Sequence, residues 1–384
     1  MFELIIAWLS FFTLGYIYVG YWLLLVFICY FKCKDTFPKD NQDNQNYFLP
    51  SITVLITAFN EEKTIKARID NILSCSYPDE QLKILVASDA STDHTDEIVK
   101  NFRESNVLLF RPDKRVGKSD TQNQAIKQIK TDFFIFTDAD TEFDKLFLQE
   151  IIKPFSDPRV GGVDGNLLFV DKNKSNVSQG QGFYWKQELQ IRTLESQLSI
   201  LAVATGACLA VRRDLFHPMK ATVGEDCLIP LDIVSQDYKM IHAGKAIAYD
   251  EMPSDSGSEF RTRVRMTLRN WQGTWMYPDL LNPFKNPEFA FALWSHKILR
   301  WLSPLFLICW LFFGLLSLSA SIPYVVVGWI AILFILAAGL GTIANYFKKK
   351  IPVVGMVYSF VLANLGFLIG IWRALSKQHM TTYK

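Results

Sequence analysis

The ends of this chain limit what it can become. Residues 4–30 form an apolar run interrupted only by Ser, Thr and Gly, and residues 302–320, 324–346 and 351–371 form three more. Each is long enough to cross a bilayer as a helix, where every backbone polar group must be satisfied within the segment. Half of the 384 residues are hydrophobic and 30 are Phe, as membrane insertion requires. No basic stretch precedes the first run and no small-residue cleavage site follows it, so it reads as a retained anchor. Glu3 precedes it and Lys32 and Lys34 follow it, which by the positive-inside rule puts residue 34 onward in the cytoplasm. The Phe347-Lys348-Lys349-Lys350 loop is expected on that same side. The last run then carries the C-terminus outward, against the charge of Arg373, Lys377 and Lys384, unless it is tilted or re-entrant.

Between these ends lies a polar region, about residues 48–285, entered through an Asn/Gln/Asp-rich stretch (40–46) that reads as a linker. Its first half alternates short apolar runs with amphipathic ones. Strands are expected at 52–57, 82–88, 107–110 and 133–137, and helices at 61–73, 92–102 and 119–129. That spacing indicates βαβ units and a parallel sheet covered on both faces. A net charge of +2 points to neither nucleic acid nor an acidic partner. The six Cys (Cys29, Cys33, Cys75, Cys208, Cys227 and Cys309) include no Cys-x-x-Cys, which suits reduced thiols better than disulfides or zinc. Neither a Gly-x-Gly-x-x-Gly after the first strand nor a P-loop is present, so dinucleotide and P-loop nucleotide sites are unsupported.

Chemistry gathers where the strands end. Thr57-Ala58-Phe59-Asn60-Glu61-Glu62 ends the first strand, with an aromatic able to stack on a nucleobase, or simply a core Phe before an Asn-capped helix. Ser88-Asp89-Ala90-Ser91-Thr92-Asp93 ends the second, where Asp89 could accept from a base or ribose. Lys114-Arg115-Val116-Gly117-Lys118 follows the third; it could face phosphates, and a solvated basic loop fits equally well. Thr137-Asp138-Ala139-Asp140 ends the fourth: two carboxylates able to hold a hard cation, or an Asx-rich turn. Each is ordinary alone. Side by side on one edge of a parallel sheet, they describe a site for a base, a ribose, a pyrophosphate and its metal.

These motifs resemble those of the inverting family 2 glycosyltransferases of the GT-A fold, in particular their membrane-embedded bacterial branch, which includes polysaccharide synthases. The resemblance implies donor contacts from Thr57, Phe59, Glu61, Asp89, Lys118 and Asp138. It implies a divalent cation, Mn²⁺ or Mg²⁺, on Asp140 and Asp138, offsetting charge on the nucleoside diphosphate leaving group. Gly206-Ala207-Cys208-Leu209 resembles the segment beneath the sugar, though it also reads as a short buried strand. Gly224-Glu225-Asp226 matches the family's acidic pair, which makes Asp226 the general base and Glu225 its support; the spacing alone fits a helix start equally well. Arg261, Arg265 and Arg269 share a helical face with Trp271 and Trp275 beyond, a lipid-headgroup surface or a clamp on the departing diphosphate. Where processive synthases carry Gln-x-x-Arg-Trp, this chain reads Thr262-Arg263-Val264-Arg265-Met266, so only Arg265 matches. His296, in the segment 295–301, reads as an interfacial residue.

The expected architecture is α/β: a GT-A, Rossmann-like, mostly parallel domain facing the cytosol and flanked by transmembrane helices. Its parts are an anchor (1–33), the GT-A domain (34–285), an interfacial helix (286–301) and a C-terminal membrane region (302–384). The implied function is transfer from a nucleotide sugar, with a UDP-sugar as the expected donor, to a lipid-linked or glycan acceptor at the bacterial inner (plasma) membrane. The missing Gln and Trp favour short-range transfer over processive synthesis. A catalytically idle GT-A-like binding protein is the competing class, and it would have no need of Asp138, Asp140 and Asp226 together.

Overall fold

The computed structural model describes residues 2–32, 49–102, 106–170, 176–251, 256–316, 322–347, 349 and 351–378. The linker expected at 40–46 lies outside these residues, as do Cys33, Lys34, Lys348 and Lys350. Eight strands form one mixed sheet: β1 (Ile52–Ala58), β2 (Leu82–Ser88), β3 (Val107–Phe110), β4 (Phe133–Asp138), β5 (Glu142–Phe143), β6 (Val160–Val170), β7 (Leu209–Arg212) and β8 (Lys239–Glu251). Their spatial order is β3-β2-β1-β4-β7-β6-β8-β5. The first four run parallel, as their spacing predicts, whereas β7 is antiparallel to both β4 and β6.

The helices are α1 (Phe2–Lys32), α2 (Ile65–Leu73), α3 (Thr95–Lys100), α4 (Lys118–Ile126), α5 (Phe147–Ile152), α6 (Asn176–Gln197), α7 (Glu225–Ser235), α8 (Ser256–Thr274), α9 (Pro278–Leu281), α10 (Pro287–Leu316), α11 (Ile322–Tyr346) and α12 (Pro352–Leu375). Four of them, α1, α10, α11 and α12, are long and apolar enough to cross a membrane. The 22-residue α6 has no counterpart in the expected elements.

Alternation along the strands sorts their side chains into two cores. Ile52, Val54, Ile56, Ile84 and Ile135 face α2 and α5, together with Phe147. Leu55, Leu85, Phe134 and Phe136 face α4 and α7. Phe133, Phe134 and Phe136 are fully buried, each contributing about 1.5–3 kcal/mol of apolar burial. The second core is shared with the membrane helices: Leu293, Ile298 and Trp301 of α10 and Phe367 of α12 belong to it.

That sharing corrects the expected path of the last span. A Cβ on Gly366 would come within 2.7 Å of Arg263 Cγ, and one on Gly370 within 2.6 Å of Thr267 Cβ, so the C-terminal half of α12 lies tight against α8. Gln272 Nε2 donates to the Gln378 carbonyl at 2.9 Å. The C-terminal end of α12 therefore emerges beside the sheet domain, and Arg373 and Lys377 with it. Its other end, about 36 Å away at 1.5 Å per residue, packs on α11, where a Cβ on Gly341 would lie 2.6 Å from the Val354 carbonyl. The loop containing Phe347 and Lys349 is accordingly remote from the domain, contrary to the reading from its charge. Close helix packing decides the path here, and the positive-inside rule is a statistical bias.

Candidate active site

Parallel pairing brings the strand ends together. Thr57 on β1 stands in register with Ala87 on β2 and Asp138 on β4. Asn60 takes a left-handed conformation (φ 57°) and clasps the second strand end, accepting from Thr92 N at 2.8 Å, so it does not cap the following helix. Phe59 lies under the Arg115 guanidinium, 3.7 Å from ring centroid to Cζ. Thr57 Oγ1 accepts from Gln122 Nε2 at 3.0 Å.

Asp89 is buried and turned toward the basic loop. Its carboxylate accepts from Val116 N (2.8 Å), Gly117 N (3.0 Å) and Thr121 Oγ1 (2.9 Å). Gly117, at φ 95°, makes the turn that starts α4 and aims Lys118 inward. Lys118 Nζ bridges Asp138 Oδ1 at 2.6 Å and Glu225 Oε1 at 2.7 Å, tying the end of β4 to the start of α7.

The Asp pair sits in an excess of negative charge. Desolvation, followed by the charge of Asp138, raises the Asp140 carboxyl above its ordinary value. Glu61 is raised by desolvation and then by Asp140 and Asp138. Asp250 on β8, which sequence reading missed, is pushed up to about 7 by desolvation and the same two charges. Behind them Arg68, also missed, is buried, donates to Thr137 Oγ1 at 2.7 Å, and is pushed down to about 9 by its own burial. Carboxyls raised by one another are what a divalent cation would relieve. Among the described residues no group of three or more His, Cys, Asp or Glu could hold a metal ion by itself. Asp138 and Asp140 could hold such a cation if ligands from outside these residues completed its shell.

The second acidic pair opens α7, so the helix-start reading and the site reading both hold. Burial works to raise both carboxyls, and their partners split them. Lys118 outweighs burial at Glu225 and holds it below its ordinary value. Burial and the Glu225 charge raise Asp226, with Arg269 and Lys118 opposing. Neighbouring acids pushed apart in this way are suited to different roles. Gly206 abuts the pair, since a Cβ there would lie 2.6 Å from Glu225 Oε1.

A cavity of about 420 Å³ joins these parts. Lys118, Asp138 and Asp250 line one end, Gly206, Ala207, Glu225 and Asp226 the middle, and Arg263, Lys297, Arg300, Trp301 and Phe367 the membrane end. Arg265 and Arg269 line it as well, whereas Arg261 is exposed. Neither Trp271 nor Trp275 lines the cavity; Trp271 packs on Trp301. The aromatic wall comes from Tyr184 and Trp185 on α6. His296 is buried between two carboxylates of α6, Glu188 and Glu195, not at an interface as expected.

Residues 53–219 match the family model described as Glycosyl transferase family 2. That stretch is similar to a family 2 glycosyltransferase domain. Poly-beta-1,6-N-acetyl-D-glucosamine synthase of Staphylococcus aureus (strain COL) is 31% identical over 160 residues, covering 41% of this chain and 38% of the synthase. The Staphylococcus epidermidis enzyme of the same name is 25% identical over 223 residues, 56% of this chain and 53% of that one. The chain thus spans between about two fifths and about half of the curated relatives it matches. The mannosyltransferase PcManGT from Pyrobaculum calidifontis, solved in complex with GDP-Man and Mn²⁺, superposes with a TM-score of 0.73 at 21% identity, covering 98% of this chain and 100% of that one. The fold is GT-A-like, with four helices suited to a membrane.

Proposed function

We propose that the protein transfers a sugar, with inversion, from a nucleoside diphosphate sugar to an acceptor presented at the membrane. The observation that carries this reading is the single cavity running from Lys118 and Asp138, past Asp226, to Arg300 and Phe367. A donor would lie over the strand ends, its base near Phe59 and Arg115 and its diphosphate near Lys118. Asp138 and Asp140 would hold a divalent cation, Mn²⁺ or Mg²⁺, which offsets the charge of the leaving diphosphate.

Asp226 accepts the proton of the acceptor hydroxyl as that oxygen bonds to the anomeric carbon. The bond from that carbon to the diphosphate oxygen breaks on the opposite face, and the nucleoside diphosphate departs. A raised carboxyl is the better base for this step, and Glu225, locked on Lys118, keeps it raised. Arg265 and Arg269 supply positive charge along the same wall. The acceptor enters from the membrane end of the cavity, as a lipid-linked or membrane-tethered glycan would, with the catalytic domain on the cytoplasmic face of the plasma membrane. A polymerising synthase is the second reading, favoured by the names of the staphylococcal relatives.

Purified protein in detergent with Mn²⁺ is expected to release nucleoside diphosphate from one member of a donor panel led by UDP-linked N-acetylhexosamines, hexoses and GDP-mannose. Asp226→Asn is expected to lower transfer by about 10²–10⁴-fold with donor affinity unchanged. No turnover with any donor, or full rate in Asp226→Asn, overturns the respective assignment.

A further inference from the structure

Buried ion pairs link the membrane end of the cavity to the catalytic acids. Within α10, residues Trp294–Ile298 form a π-turn that presses His296 and Lys297 onto α6. His296 Nε2 lies 3.0 Å from Glu188 Oε2, and its Nδ1 lies 2.8 Å from Glu195 Oε1. Arg300 Nη1 donates to Glu188 Oε2 at 2.7 Å and Lys297 Nζ to Glu188 Oε1 at 3.2 Å. One turn on, Arg192 Nε donates to the same Glu188 Oε1 at 3.1 Å.

From Arg192 the chain of contacts continues into the sheet. Arg192 Nη1 donates to Asp164 Oδ2 at 3.1 Å and to Thr205 Oγ1 at 2.7 Å. Asp164, fully buried on β6, also accepts from Thr205 N at 2.7 Å and meets His242 Nδ1 at 2.9 Å. Thr205 belongs to the loop between α6 and β7. Its neighbours touch the acid pair directly: Ala204 N donates to the Asp226 carbonyl at 3.3 Å, and Gly206 lies against the Glu225 carboxylate. Burial opposes charge on Glu188 and Asp164, yet both carboxyls are held below their ordinary values by these cations.

We propose that Arg192 is a positioning residue for the transfer step: through Thr205 and Asp164 it fixes the loop that seats Asp226, and through Glu188 it couples that loop to the interfacial turn carrying His296, Lys297 and Arg300. Glu188, Arg192, Thr205, Lys297 and Arg300 all line the cavity, so an acceptor in its membrane end touches the same links that set the base. This rests on the reading of Asp226 as base, and adds that the base is set from the membrane side. A positional error of about 1 Å in such a group can cost about 10²-fold in rate, so a modest slackening of the loop is measurable.

The experiment uses the full-length protein in detergent with its donor and Mn²⁺, after wild-type turnover and its loss in Asp226→Asn have been established. Thr205→Val removes one hydroxyl at nearly constant shape. It is expected to lower kcat about tenfold, the equivalent of one charge-assisted hydrogen bond, with donor KM unchanged and apparent Tm lower by a few degrees as the buried Arg192 N–H loses its acceptor. Arg192→Lys keeps the charge without the fork and is expected to lower kcat at least as much. His296→Gln is expected to lower kcat, and the double variant Arg192→Lys/His296→Gln to be no worse than Arg192→Lys alone, because both cut one chain. Wild-type kcat in Thr205→Val, or additive losses in the double variant, overturns the proposal while leaving the base assignment standing.

Discussion

Lys118 is the group on which the two halves of the site depend, and its removal has a calculable cost. Its ammonium sits 2.7 Å from Glu225 and 2.6 Å from Asp138, and Glu225 is only 3% exposed. Lys118→Met takes away the ion-pair partner of buried Glu225, leaving it a backbone hydrogen bond and the Arg269 charge, and breaking one side of such a pair costs about 3–5 kcal/mol. For a domain of about 200 residues that is a fall of roughly 7–12 °C in apparent Tm. The sign with pH follows from Glu225. Its folded carboxyl is held below its ordinary value, so its stabilisation is complete above the unfolded carboxylate range (about 4.3) and is lost as pH falls through the folded value. The gap between wild type and Lys118→Met is therefore full at pH 7 and closes on acidification. Adding Glu225→Gln removes the stranded charge and restores most of the Tm. On the proposed donor placement it does not restore donor affinity, because the Lys118 ammonium is still missing. Thermal unfolding in detergent from about pH 3 to 8, with calorimetric titration of nucleoside diphosphate, reads both quantities. A wild-type Tm in Lys118→Met at pH 7, or a double variant no more stable than the single one, refutes the reasoning.

Two further outcomes follow from close approaches in the fold. Gly206→Ala places a Cβ 2.6 Å from Glu225 Oε1; it is expected to lower kcat by about 10²-fold by displacing the acid pair, measured as initial transfer rate. A Cys placed at Gln378 is expected to react with a membrane-impermeant maleimide from the same side as a Cys at the exposed Lys63, in vesicles of known orientation; labelling from opposite sides contradicts the packing of α12 on α8.

The first half of the sheet is legible because its strands are continuous apolar runs that end in polar clusters. β2 and β3 fall where the pattern predicts, and β1 and β4 each extend one residue further. The second half hides its strands. β6 opens on Gly161 and Gly162, residues that read as breakers, yet a Cβ on Gly162 would lie 2.5 Å from Met240 Sδ. Those glycines mark tight packing of β8 and α7 against β6. The helix α6 conceals itself differently: Glu188, Arg192 and Glu195 on one face suggest a solvated surface, and only their mutual pairing with α10 and β6 makes burial affordable. For the site, Asp138, Asp140, Glu225 and Asp226 were visible as local motifs. Asp250, Arg68 and Arg192 had no motif, because each acts through partners distant in sequence.

The apolar helices α10 and α12 share the core of the sheet domain and are not a separate anchor for it. Trp301 and Phe367 pack in the same cluster as Leu55 and Phe136 of the sheet, and Ser303, midway along α10, donates to Asn364 of α12 at 2.6 Å while sharing a hydrogen bond with Tyr18 of α1. Removing α10 and α12 would expose the face of α7 that begins at Glu225 and Asp226, together with the α8 surface that supplies Arg265 and Arg269. Solubility would then be gained by opening the wall of the cavity. The distance between the apolar spans and the Glu225–Asp226 pair at the start of α7 is thus set by close-packed side chains, which resist change in volume by even a methylene. A hinge between membrane and catalytic parts would make that distance variable. The shared core removes the hinge, and the buried ion pairs through Glu188 and Arg192 tie the two parts together as well.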